Sequence, residues 1–243
     1  MKKLQRDPAG NALKRRGPGQ QRGATMIEFV IVSPIAILVL LGIIQLALMM
    51  VAKQVVNQAT LLAARAGAEQ NAQLDPMQTA LFQALLPFYQ NTFDSNAYSR
   101  LLNASIAERL DLPSPVKIEV LNPSAAVFSD FGLTDTNNHT YVPNDSLEYR
   151  DHNYTGPQSG LTIQDANALK IRVTYAYQLK VPLMQSVFKS LMCGFDTGVD
   201  AFGRGSFGST SVTDCAEYYY RGRVPIVAYA TVQMQSPAWR EGN

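Results

Sequence analysis

Glu28 is the side chain whose position most constrains what this chain can do. It stands immediately before an uncharged apolar run that begins at Phe29 and ends at Ala52. A carboxylate at the mouth of such a run is costly to hold near hydrocarbon and tends to be kept for a functional reason. Cys193 and Cys215, the only two cysteines, are the other pair that could do chemistry. If the chain beyond the run lies outside the cytoplasm, an even pair in an oxidising compartment predicts a disulfide. The bridge would close a loop containing Gly194, Gly198, Gly203, Gly205 and Gly208, which has little core of its own. The loop-entropy argument assigns roughly 3 kcal/mol to a closure of this length.

Catalytic patterns do not assemble. Gly203-Arg204-Gly205-Ser206-Phe207-Gly208 matches G-x-G-x-x-G letter for letter, but no strand and helix of a βαβ unit flank it. Arg204 occupies the place where a G-x-S-x-G elbow around Ser206 needs glycine. His139 and His152 share a polar stretch with Asp135, Asp145 and Asp151, without a metal-ligand spacing for zinc or the EF-hand spacing for calcium. No nucleophile is set beside a base. The residues therefore predict a chain that is not an enzyme and carries no metal or cofactor.

The elements around Glu28 have distinct compositions. Residues 1–22 hold seven Lys/Arg (Lys2, Lys3, Arg6, Lys14, Arg15, Arg16, Arg22) against Asp7 alone. This head carries +6, so the remaining chain must carry −4 to give the net +2. It is also rich in Gly, Pro and Gln, a composition that cannot bury a core. No aromatic residue interleaves with these charges and the patch abuts an apolar span, which argues against nucleic acid as a partner. The 24 uncharged residues Phe29–Ala52 make about 36 Å of helix, enough to cross a bilayer with some tilt. Pro34 falls in its first turns and removes one backbone donor. The flanking charge bias places the N-terminus in the cytoplasm and residues 53–243 outside it. A secretory signal peptide fits less well: the run exceeds the usual ~7–15 residues, and the small-residue site Ala64-Arg65-Ala66 lies well past its end.

Arg22-Gly23-Ala24, followed by Ile27-Glu28-Phe29-Val30-Ile31-Val32 and Pro34, resembles the processing region of type IV prepilins. More narrowly, it resembles the TadE-like pseudopilins of tight-adherence (Tad, or Flp) pilus systems. The likeness continues through Gln54–Ala68, where Ala63-Ala64-Arg65-Ala66-Gly67 is similar to the family's alanine-rich helix. Leu169-Lys170-Ile171-Arg172-Val173-Thr174-Tyr175 to Val181-Pro182-Leu183 is similar to a strand block of longer members, as is Val224-Pro225-Ile226 to Ser236. Residues 90–160 carry no likeness. One position departs from the pattern: where members often have a second acid within the membrane helix, this chain has neutral Gln45.

The resemblance implies that a prepilin peptidase cuts after Gly23, leaving Ala24 as the new N-terminus. Glycine suits that junction because an extended backbone without a side chain can approach a catalytic site closely. Cutting would remove all seven leading cations. Glu28 would then lie about one turn from the new ammonium. The family implies that Glu28, with Phe29 beside it, serves subunit assembly by pairing with a neighbour's N-terminus. Two charges ~4 Å apart attract far more strongly at low dielectric than in water, and an unpaired carboxylate there is penalised, so the pairing sets register. The implied role is structural: a pseudopilin of Tad pilus biogenesis in the bacterial inner membrane, single-pass with its bulk periplasmic, or built into a cell-surface pilus. Its partners would be the membrane, the peptidase, other pilins or pseudopilins and Tad assembly proteins. Two alternatives stand beside it: an uncleaved inner-membrane scaffold, and a membrane-tethered periplasmic binding module using loops 134–160 and 194–214.

The expected fold is α+β. A long N-terminal transmembrane helix continues into a pilin-like domain with a small antiparallel sheet. The segments are a basic leader over 1–23, the membrane and extended helix over 24–68, and an extracytoplasmic domain over 69–243 with the disulfide-closed loop 193–215. Val55, Ala59, Leu62 and Ala66 predict the apolar stripe of the extended helix. Asp75-Pro76 predicts an N-cap acid and first-turn proline for a second helix running to about Tyr89. Ala97–Leu110 reads as a third. Val116, Ile118 and Val120 alternate as a strand, further strands are expected at about 169–181 and 223–235, and 134–160 reads as a long surface loop.

Overall fold

The computed structural model describes residues 24–90, 116–136, 138–193 and 217–240, together with the isolated positions 96, 99, 101, 103 and 106. Contacts divide the chain into two compact units, residues 1–42 and residues 43–243. Helix α1 spans Ala24–Glu69, so the second unit begins within it. In the first unit the large apolar side chains from Met26 to Leu40 are exposed. The helix is long and apolar enough to cross a membrane.

The second unit is an α+β domain. After α1 come α2 (Leu74–Leu85), a 3-10 turn (Leu86–Phe88), β1 (Val116–Asn122), α3 (Ala125–Phe131), β2 (Leu133–Thr134) and β3 (Thr140–Val142). There follow α4 (Ile163–Ala166), β4 (Ala168–Gln178), α5 (Met184–Cys193), β5 (Arg223–Gln233) and β6 (Ala238–Trp239). Two antiparallel sheets form, one in the order β1-β4-β5 and one in the order β2-β3-β6. The strands expected near 116–120, 169–181 and 223–235 are all present, as β1, β4 and β5.

Period-two alternation decides which face of the main sheet is inside. Leu169, Ile171, Val173, Tyr175 and Tyr177 of β4 are buried, and they stand opposite Val232, Ala230, Ala228, Ile226 and Val224 of β5. The other face is polar. There Arg172 lies opposite both Glu119 and Tyr229, and the Glu119 carboxylate accepts from the Arg172 guanidinium and pairs with Lys117.

The buried side of α1 is narrow and small: Ala52, Val56, Ala59, Ala63 and Ala68 are almost fully covered. The stripe expected from Val55, Ala59, Leu62 and Ala66 is therefore rotated by about one residue. Val55 is half-buried and Leu62 is 47% exposed. The alanines win the inner face because a Cβ-only surface lets the helix approach the sheet closely, and the bulkier residues border it. At Gly67 even a Cβ is excluded, since Met77 and Leu169 occupy that space. α1 ends where Asn71 and Ala72 adopt φ of 58°, with the Ala72 N–H returning to the Gly67 carbonyl at 2.8 Å. Asn favours this left-handed cap. Its amide donates to the Pro237 carbonyl (2.8 Å), tying the helix end to the chain before β6.

Two expectations are corrected. α2 starts at Leu74 with Gln73 as its N-cap residue, so Asp75 lies in the first turn instead of capping it. The stretch 134–160 is not simply a surface loop: β3 joins the small sheet and Val142 is fully buried. The helix expected over Ala97–Leu110 falls largely outside the described residues.

Candidate functional site: the N-terminal helix and its buried anchor

Gly23 lies outside the described residues. Ala24 is the first residue of α1. Four residues on, Glu28 lies on the same side of the helix, about 6 Å along its axis. Glu28 is exposed, as is Phe29 at 71%. The motif thus presents a carboxylate and an aromatic ring outward, in a helix whose neighbouring side chains are apolar. Chemically this arrangement can accept a cation or an ammonium.

Cys193 ends α5, but its side chain and all of Cys215 lie outside the described residues, as do Gly203–Gly208 and Ser206. The polar residues of 134–160 take local roles. His139 stacks on Trp239 with ring centroids 5.8 Å apart. The Asp135 carboxylate accepts from the Thr136 amide, Asp151 accepts from the Asn153 amide, and Asp145 pairs with Arg150 at 3.5 Å.

Asp130 at the end of α3 gathers a separate loop. Its carboxylate accepts from the Gln158 and Ser159 amides, the latter at 2.7 Å. A Cβ at Gly156 would come within 2.4 Å of the same carboxylate, so a side chain there would push Asp130 out of its present place. Burial pushes the Asp130 carboxyl upward, but the Ser159 and Gln158 hydrogen bonds outweigh it and leave the group below its ordinary value.

Gln45 is the polar residue whose partner sequence reasoning did not supply. It lies within the apolar run and is fully buried inside the second unit. Its Oε1 accepts the Val181 N–H at 3.0 Å. Its Nε2 is buried without a hydrogen bond of normal geometry among the described residues. Burial pushes the Tyr177 phenol up, and the nearby Gln45 amide partly offsets that. The signal was present in the sequence, because a lone amide inside 24 uncharged residues needs a partner. What the sequence lacked was the partner's identity, 136 positions away.

The same edge of α1 continues as an ordered series of contacts. The Lys53 ammonium donates to the Val227 carbonyl of β5, the outermost strand of its sheet among the described residues, the Gln235 N–H donates to the Ala68 carbonyl at 3.0 Å, and the Trp239 N–H donates to the Asn71 carbonyl at 3.0 Å. Val181, Val227, Gln235 and Trp239 thus meet α1 at successively later residues. A cation on the outermost strand also blocks edge-to-edge pairing there.

No curated protein and no solved structure matches the chain. Residues 23–65 match the family described as TadE-like protein. The matched stretch runs from Gly23 through Glu28 and Phe29 and along the small-residue face of α1, leaving 66–243 outside it. Over that stretch the chain is similar to the TadE-like family, which points to Tad pilus systems.

Proposed function

We propose that this chain is a non-enzymatic structural component of Tad pilus assembly: a TadE-like pseudopilin anchored in the bacterial inner membrane by α1, trimmed after Gly23, and registered against neighbouring subunits through Glu28. The observation that carries this reading is the extent of the family match. It begins at Gly23 itself and takes in Ala24, Glu28, Phe29 and the apolar run. The helical spacing supports it, since Ala24 and Glu28 share a face one turn apart. A new ammonium at Ala24 would therefore present its charge beside the carboxylate, and in a stack of subunits the pairing can be satisfied between neighbours. Charged partners at ~4 Å in a medium of low dielectric favour that register over slipped ones.

The test is the N-terminal sequence and intact mass of the protein taken from membranes of its own host. A chain beginning at Ala24 is expected. A chain that retains residues before Gly23 would sink the processing step and leave a permanent membrane scaffold. A start beyond residue 60 would mean that the run is a cleaved export signal and that the domain acts alone.

A further inference from the structure

We propose that α5, with the residue before it, lies in the headgroup layer of the bilayer and forms a second membrane contact of the domain. This rests on the reading that α1 crosses a bilayer.

The contacts along α1 decide where α5 sits within its unit. From Trp239 back to Val227, β5 and the segment after it descend α1 from Asn71 to Lys53. The chain leaving β4 is pinned lower still, with Val181 on Gln45. Gln45 is eight residues before Lys53, the first charge after the apolar run, or about 12 Å of helix. At that level the side chains of α1 turned away from the domain are Ile43, Ile44, Leu46 and Leu48, all exposed. α5 starts three residues after Val181. The β4–α5 corner is therefore the end of the domain that lies at the apolar run.

The composition of α5 matches this place. One stripe, Met184 and Phe188, packs into the domain: Met184 is buried and Phe188 joins the cluster around Leu179, Tyr219 and Val224. A second stripe, Leu183, Val187 and Leu191, recurs every four residues on another side. Leu183 is 66% exposed and Leu191 47%. Leu183 also holds a φ of 67°, a left-handed conformation that is unusual for leucine. Beside this stripe, the Lys189 ammonium lies 4.5 Å from the centre of the exposed Tyr220 ring. Lysine and tyrosine with apolar stems and wet tips suit the interface between headgroups and acyl chains. An amphipathic helix of this kind lies in the interface plane with its apolar face about 5–10 Å into the headgroup and acyl boundary.

The experiment uses the full chain in vesicles of phosphatidylcholine and phosphatidylglycerol, with and without dibrominated acyl chains. Leu191→Trp reports on α5. Native Trp239, bonded to Asn71 just past the end of α1 and so at the far end of the helix, about 36 Å along it from Gln45, is the internal reference. Leu40→Trp reports on the span itself. Brominated lipid should quench the added Leu191→Trp fluorescence roughly twofold or more, leave Trp239 unchanged and quench Leu40→Trp strongly. Quenching of Leu40→Trp without Leu191→Trp would overturn the second contact and leave the span intact. A blue-shifted but unquenched Leu191→Trp would mean that protein covers the stripe, and would overturn the proposal equally. If neither residue is quenched, the membrane reading falls and takes this inference with it.

Discussion

Replacing Gly67 with alanine sets two effects of opposite sign against each other. Within a helix, Ala is favoured over Gly by about 0.8–1 kcal/mol, because glycine loses more backbone entropy on ordering. On propensity alone the variant should be more stable. But a Cβ built at Gly67 meets Met77 Cγ and Sδ at 2.7 Å and Leu169 Cδ2 at 2.9 Å. Both neighbours are fully buried, so neither can swing into solvent to make room. Overpacking a filled core by one methyl costs about 1–3 kcal/mol. The net expectation is a loss of about 1 kcal/mol for Gly67→Ala. For Gly67→Val, which adds two more carbons and regains less propensity, we expect a loss of about 3 kcal/mol. Thermal unfolding of the full chain in detergent, followed by near-ultraviolet circular dichroism, should show Tm lowered by about 3 °C and about 9 °C respectively. A Gly67→Ala protein whose Tm rises by about 3 °C would refute the close approach of α1 to the sheet.

Glu28→Ala should abolish incorporation into pili while leaving the Tm of the purified protein unchanged, because Glu28 is exposed; fractionation of sheared filaments against membranes checks this, and normal filament incorporation would dismiss the pairing role. Acid should loosen the loop held by Asp130. The Asp130 carboxyl titrates below its ordinary value of 3.8, so its stabilising contribution is complete above that pH and is lost as pH falls through the lower native value. Amide hydrogen exchange at Gln158 and Ser159 should therefore accelerate below about pH 4; Asp130→Asn should show the faster exchange already at neutral pH, and identical protection in the two proteins would count against the clamp. Glu119 behaves with the same sign. The Lys117 and Arg172 hydrogen bonds hold it below 4.5, so Glu119→Gln should flatten the acid limb of the Tm-versus-pH curve, and an unaltered limb would assign that limb to other carboxylates.

Much of the scaffold was legible because it depends on local periodicity. The alternation in Leu169–Tyr177 and Val224–Val232 marks strands whichever strand lies next to them, and the uncharged run marks an apolar helix whichever domain follows it. The stripe on α1 was not legible to the residue. Val55, Ala59, Leu62 and Ala66 make as good a helical face as Ala52, Val56, Ala59 and Ala63, and only the sheet's position selects the alanines. Asp75 looked like a cap, but the turn at Asn71 and Ala72 set the start of α2 two residues earlier.

By itself, the sequence determined the carboxylate at Glu28, the long apolar helix around it and the α+β class, because each rests on residue chemistry or on a repeat of two or four positions. Only the tertiary structure decided the fate of Gln45. An amide among apolar residues is compatible with lipid, with a neighbouring helix or with a protein interior, and its burial against Val181 comes from a contact between distant parts of the chain. The same contact brings α5 to the apolar level of α1. The physical reason is that hydrogen bonds and packing between segments far apart in sequence leave no period in either segment.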